Sequence, residues 1–209
     1  MRKPLAEGLG AFFLVLIVVL VNSQEPVGSN TPLAAGLALA GLTAVFGPVS
    51  GAHFNPAVTL AMLISGRISR TEAPYYMLAQ ILGAISASFF GVFMLGCIGN
   101  DEFPPHRNDG VCSMMSEFLG AFIFTLAFLR LPVSRIDGAA ACGAVLSALM
   151  FALGPVSMAV FNPALAVGLS ISGWTSWADI WLYLIGTLLG AAAAASAQIY
   201  FASATPDNS

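Results

Sequence analysis

Charge is what this chain has least of. Lysine, arginine, aspartate and glutamate make up 8% of its 209 residues, against about 25% in ordinary soluble domains. A water-exposed surface cannot be covered with so few charges, so a soluble globular domain is excluded. A formal net charge of −3 with seven basic residues offers no basic stripe, and no nucleic acid is expected as a partner. Only two histidines and three cysteines are present, and Cys97, Cys112 and Cys142 have no metal-ligand spacing. Neither a metal nor a cofactor is expected. No Ser–His or Cys–His constellation falls within the apolar segments, which argues against an enzyme. Cys97 and Cys112 flank one loop; a disulfide is open to them, but a pair of small apolar residues is the favoured reading.

What fills the chain instead is apolar: 58% of the residues, with a mean hydropathy of +0.87. Apolar stretches at Pro4–Val21, Pro32–Val49, Pro74–Ile98, Met114–Leu131, Ile136–Val156 and Ile180–Ala202 each approach the ~20 residues a helix needs to cross a bilayer. The expectation is an all-α, multi-pass membrane protein with six transmembrane helices. The first stretch contains Glu7 and lacks a small-residue cleavage site, so it reads as a span and not as a signal peptide. Arg2, Lys3, Arg67, Arg70, Arg130 and Arg135 fall on one face of this topology and Arg107 alone on the other. The positive-inside rule then puts both termini in the cytoplasm, in the cell (inner) membrane. Glu25, Asp101, Glu102, Asp109 and Asp179 mark the outer face.

One string occurs twice. Gly47-Pro-Val-Ser-Gly-Ala-His-Phe-Asn-Pro-Ala57 returns as Gly154-Pro-Val-Ser-Met-Ala-Val-Phe-Asn-Pro-Ala164, with nine of eleven positions identical and an offset of 107 residues. The flanks repeat as well. Ala6–Phe13 resembles Ser116–Ile123, and Tyr76–Ala84 resembles Tyr183–Ala191. The chain is therefore a single domain, 1–209, of two units, 4–98 and 113–202. An odd number of spans per unit inverts the second against the first. About ten residues follow each asparagine before the next break, roughly 15 Å of helix or half a bilayer. Asparagine is a favoured N-cap and proline suits the first helical position, so Asn55-Pro56-Ala57 and Asn162-Pro163-Ala164 each open a half-helix, and the two starts face each other near the midplane.

Facing helix N-termini carry partial positive charge and repel cations. The asparagine amides can donate to a passing oxygen, and the carbonyls of Ser50–Phe54 and Ser157–Phe161, outside regular helix, can accept along the approaches. Donors and acceptors of this kind suit water, small polyols and other neutral hydroxyl-bearing solutes.

The paired Asn-Pro-Ala motifs, the context Ser50–Thr59 and the placement of Glu7 and Glu117 resemble the aquaporin, or major intrinsic protein, family over residues 4–202. The resemblance implies a bundle of six helices and two half-helices, a homotetramer in the lipid bilayer, and one pore per subunit. The family usually carries an arginine directly after the second Asn-Pro-Ala, where this chain has Leu165. Spacing from the asparagines assigns the rest of the outer selectivity filter to Ala35, Met150 and Ala159. With no charge, ring or strong donor among them, the filter is expected to be wide and apolar. The resemblance thus points to an arginine-less, bacterial-type aquaglyceroporin branch passing water, glycerol-like polyols and metalloid hydroxides such as arsenite or methylated arsenicals. A strict water channel and a secondary transporter with an inverted repeat stand as alternatives, as does a closed, junctional protein of this fold, because an apolar filter can also gate by dewetting.

Glu7 and Glu117 are ionisable groups within spans. A proton relay is the sharper reading. The favoured one is that each accepts hydrogen bonds from the irregular backbone before a half-helix. His53 is read as pore-lining, with a packed histidine as the alternative; its counterpart in the second unit is Val160. Gly10, Gly83, Gly120 and Gly190 are expected at close helix crossings. Trp174, Trp177 and Trp181 are expected in an outer aromatic belt.

Overall fold

A computed structural model of the chain describes residues 1–23, 30–96 and 110–203. Cys97, His106, Arg107 and the acids Glu25, Asp101, Glu102 and Asp109 lie outside the described residues. The eight helices within them are α1 (Arg2–Asn22), α2 (Thr31–Ser50), α3 (Pro56–Ile64), α4 (Ala73–Gly96), α5 (Gly110–Arg130), α6 (Ile136–Ser157), α7 (Pro163–Ile171) and α8 (Ile180–Ser203). Six of them are long and apolar enough to cross a membrane. α3 and α7 have nine residues each, about 14 Å of helix. The architecture is the inverted three-span repeat with two half-helices.

The helix boundaries have local causes. α2 and α6 carry Pro48 and Pro155 close to their C-termini, where a missing N–H costs one ladder bond near the end of the helix. Both then stop on a left-handed residue, Gly51 at φ 90° and Met158 at φ 66°. α3 and α7 start on Asn55 and Asn162 in extended geometry with proline directly after.

Packing interlocks the two units. α1 lies along α4 and α5 along α8, while α2 crosses α6 between the units. α3 packs more against α8, and α7 more against α4, than either does against the long helix of its own unit. At the α2–α6 crossing Gly36 and Gly143 meet backbone to backbone, and a Cβ on either would collide with the other's carbonyl. Gly83 and Gly190 likewise sit against the carbonyls of Gly8 and Phe118, close crossings of α4 on α1 and α8 on α5. Gly10 and Gly120 have a different job from the one the sequence suggests. Each makes room for a ring from the irregular loop: a Cβ on Gly10 would strike Phe54, and one on Gly120 would strike Phe161. Both rings are buried.

The basic residues form a band at one end of the bundle. Lys3 Nζ donates to Glu72 Oε1 at 3.1 Å, and its charge and hydrogen bond hold the Glu72 carboxyl below the usual carboxylate range. Arg67 Nη1 donates to the Leu129 carbonyl at 2.6 Å, and Arg130 Nη1 reaches Gln198 Oε1 at 3.4 Å. At the other end Trp177 and Trp181 are exposed, as a belt requires, but Trp174 is buried at 4% exposure and belongs to the core. Cys112 is exposed at the start of α5 and Cys142 is buried in α6.

Overpacking a well-filled site costs about 1–3 kcal/mol. Gly10→Ala and Gly120→Ala are therefore expected to lower the unfolding temperature in detergent, whereas Gly41→Ala, with open space around its Cβ, is expected to leave it unchanged. Equal effects from all three would contradict the packing assigned to the Phe54 and Phe161 rings.

Candidate functional site

The site is made by two short loops held in backbone conformations that side chains disfavour. Ala52, Phe54, Met158, Ala159 and Phe161 all have φ between 50° and 66°, and each such non-glycine residue costs about 1–2 kcal/mol. The loops persist because a buried carboxylate collects their N–H groups. Glu7 Oε1 accepts from Ser50 Oγ at 2.6 Å and from the His53 N–H at 3.0 Å, and Oε2 accepts from the Phe54 N–H at 2.7 Å. Glu117 repeats the arrangement with Ser157 Oγ at 2.7 Å, the Val160 N–H at 2.9 Å and the Phe161 N–H at 2.6 Å. Ser50 and Ser157 also cap the N–H groups of Ala52 and Ala159 through their Oγ atoms, both at 3.2 Å. Glu7 Oε2 also accepts from Gln80 Nε2 at 2.8 Å. Gathering the loop N–H groups is the structural duty both carboxylates share.

Each asparagine works in two directions. Asn55 Oδ1 accepts from the Ala57 N–H at 2.8 Å, and Asn162 Oδ1 from the Ala164 N–H at 2.9 Å, capping α3 and α7. The amide nitrogens reach across the unit boundary. Asn55 Nδ2 donates to the Phe161 carbonyl at 2.9 Å, and Asn162 Nδ2 donates to the Phe54 carbonyl at 3.0 Å. A primary amide has two N–H donors, so one hydrogen on each side chain remains after this reciprocal pair.

Those remaining donors border a cavity lined also by Leu14, Val18, Ala35, Leu39, His53, Phe124, Leu146, Val160, Phe161 and Leu165. The space open to the centres of water-sized spheres is about 20 Å³, enough for roughly one water. The lining is apolar apart from Asn55, Asn162 and His53, and it holds no charged side chain. Among the described residues no donor reaches the carbonyls of Gly51, Ala52 and His53, which leaves acceptors along the approach on that side.

Of the positions assigned by spacing, Ala35 and Leu165 line this cavity. Met150 and Ala159 are buried in the same apolar cluster without lining it. Leu146, one turn before Met150 on α6, also lines it. The residues that sequence reasoning did not reach are the cross-unit pair of hydrogen bonds, the ring seats at Gly10 and Gly120, and the polar group formed by Gln80, Thr59 and Tyr76. The Tyr76 hydroxyl donates to the Ser50 carbonyl at 2.9 Å. The identical serines in the doubled string were the available signal for the loop scaffold. No signal in sequence spacing marks bonds between residues 106 and 108 apart.

Removing a charged acceptor from two buried N–H groups leaves them unpaired. Glu117→Ala is expected to destabilise the folded protein by about 2–3 kcal/mol, read as a lower unfolding temperature in detergent. Glu117→Gln keeps one acceptor but turns an NH2 toward the other N–H, so it is expected to fall between alanine and the unaltered protein. An unchanged transition for both would contradict the scaffold role of this carboxylate.

Comparison with known proteins agrees with this geometry. The model of the family described as major intrinsic protein matches residues 1–200. Aquaporin NIP1-1 of Zea mays is 36% identical over 209 residues, covering 93% of this chain and 72% of that protein. Glycerol uptake facilitator protein-like 6 of Lactiplantibacillus plantarum is 34% identical over 210 residues, covering 93% of this chain and 95% of that protein. The X-ray structure of the aquaglyceroporin from Plasmodium falciparum superposes with a TM-score of 0.80 at 21% identity, covering 93% of each chain; at that identity the likeness is one of fold. With matched sequence along nearly all its length, six membrane-crossing helices and two half-helices meeting on paired asparagines, the chain belongs to the major intrinsic protein family of membrane channels.

Proposed function

We propose that the chain passes small uncharged solutes passively, through the cavity between Asn55 and Asn162, with no chemical step. The observation that carries this reading is the composition of the cavity wall. It offers two amide donors and one imidazole in an otherwise apolar lining, with Leu165 directly after the second Asn-Pro-Ala. Such a wall compensates a desolvated hydroxyl at the centre and offers a bare ion nothing comparable. The two half-helix N-termini add a positive potential that opposes cations.

Water, glycerol-like polyols and neutral metalloid hydroxides, including arsenite and methylated arsenicals, are the proposed solute range. An uncharged, branched side chain at Leu165 supports it, as does the likeness to a protein named as a glycerol uptake facilitator. The size of the cavity, about 20 Å³, favours a second reading, a channel for water alone. The two readings differ in whether Leu165, Leu146 and Leu39 rotate aside for a three-carbon solute. The basic band formed by Lys3, Arg67 and Arg130 supports an orientation with both termini in the cytoplasm, in the cell membrane. Assembly of four such subunits side by side in the bilayer, as a homotetramer, is part of the same proposal and rests on family membership. The assignment of Ala35, Met150, Ala159 and Leu165 as the outer filter rests on spacing, supported for Ala35 and Leu165 by their position on the cavity wall.

Uptake by proteoliposomes separates the readings. Fast water flux together with glycerol and arsenite entry above protein-free vesicles is the expected result. Water flux without either solute favours the strict water channel. Leu165→Arg is expected to cut glycerol entry by about tenfold or more, the effect of roughly 1.4 kcal/mol on the barrier, with a smaller effect on water. No change in glycerol entry would count against the filter assignment.

A further inference from the structure

His53 is the one imidazole in the cavity wall, and its ring is held in a specific way. The residue is 3% exposed. Its ring stands 5.2 Å from the Tyr76 ring and 6.0 Å, edge-on, from Phe128. Nδ1 lies 3.1 Å from Thr59 Oγ1. Nε2 has no hydrogen-bond partner among the described residues, and beside it is Gly51, where even a Cβ would sit 3.3 Å away.

The direction of the Nδ1–Thr59 bond follows from a chain of donors that begins at Glu7. Glu7 Oε2 accepts from Gln80 Nε2 at 2.8 Å, which fixes the amide with its nitrogen toward the carboxylate. The same nitrogen gives its second hydrogen to Thr59 Oγ1 at 2.9 Å. Thr59 has one hydroxyl hydrogen, and two oxygens stand within reach of it, the carbonyl of Asn55 one helical turn back at 3.1 Å and Gln80 Oε1 at 3.4 Å. With the hydrogen on either oxygen, the hydroxyl keeps one lone pair for Nδ1, an arrangement in which Nδ1 carries the imidazole proton and Nε2 is a bare acceptor.

The second unit lacks the whole device. At the offset of 107 residues, Val160 stands for His53, Ala166 for Thr59, Thr187 for Gln80 and Met158 for Gly51. The imidazole, its two supports and the glycine that leaves space beside it are present together in one unit and absent together in the other. That covariation within one molecule fits a single functional element better than four unrelated substitutions, since Glu117 holds its loop without any of them.

We propose that Thr59 and Gln80 are positioning residues that lock His53 as the Nδ1–H tautomer, so that Nε2 presents a hydrogen-bond acceptor to the permeating solute beside the amide donors of Asn55 and Asn162. The inference rests on the channel reading above. It makes the midplane two-sided: a solute finds a donor and an acceptor within one cavity, and hydroxyl-bearing molecules, which need both, are favoured over neutral solutes that offer only acceptors.

The test combines a spectrum with a flux measurement on the full chain in lipid bilayers. With His106→Ala leaving a single histidine, ¹⁵N chemical shifts of labelled imidazole are expected to show a protonated Nδ1 and an unprotonated Nε2. Thr59→Val removes the support without changing side-chain size, so it is expected to shift the tautomer balance and to lower water and glycerol flux by about two- to tenfold, the loss of one neutral hydrogen bond. Thr59→Ser restores the hydroxyl and is expected to restore both readouts. A protonated Nε2 in the otherwise unaltered protein overturns the proposal, and this spectrum needs no variant at Thr59. Flux through Thr59→Val equal to that of the parent, with a shifted tautomer, overturns it too. Vesicles of the parent protein that swell no faster than protein-free ones overturn the channel reading itself, whatever the spectrum shows.

Discussion

The structure depends on a reciprocal pair of hydrogen bonds: Asn55 Nδ2 to the Phe161 carbonyl and Asn162 Nδ2 to the Phe54 carbonyl. Each asparagine caps its own half-helix with Oδ1 and ties the loop of the opposite unit with Nδ2. The two units are thereby registered against each other at the cavity itself. A cavity between two half-helices has a defined width only if their ends are fixed, and this pair fixes them.

Everything around the pair keeps those ends in place. The carbonyls of Phe54 and Phe161 can reach the opposite amide only because their residues adopt left-handed backbone, as Ala52, Met158 and Ala159 also do. Strain of this kind survives when surrounding structure over-determines it. Here Glu7 and Glu117 gather the loop N–H groups, and the Phe54 and Phe161 rings sit in the space left by Gly10 and Gly120. Carboxylate, serine, glycine and ring form one unit of construction, and it is built twice. The first unit then adds His53 on the cavity wall, with Thr59 against its ring and Gln80 bonded to both Thr59 and Glu7.

Much of this could be read before any coordinates. Charge scarcity and six apolar runs decide the fold class, and the helix ends fall within a few residues of the expected ones because Asn-Pro and the basic residues mark them locally. The half-helices are legible for the same reason, since Asn55-Pro56 and Asn162-Pro163 are N-terminal signals. The cross-unit bonds are not legible, because they join residues more than a hundred positions apart and depend on both loops reaching the same depth. Gly10 and Gly120 seat the Phe54 and Phe161 rings where a helix crossing is expected: a sequence shows that space is needed but not what fills it. Trp174 carries the same belt signal as Trp177 and Trp181, yet it is buried while they are exposed. Leu146 on the wall of the midplane cavity carries no sequence signal of its own, because it stands outside the repeated string.

Facing half-helix ends and an uncharged cavity wall carry the proposal that the site passes neutral solute and opposes protons, since a proton on water is a cation at the point where both N-termini point. Stopped-flow swelling of proteoliposomes, with a pH-sensitive dye inside the same vesicles, measures both fluxes at once. The account predicts swelling well above protein-free vesicles with no added proton leak. Vesicles that fail to swell, or that swell and leak protons in parallel, would contradict it.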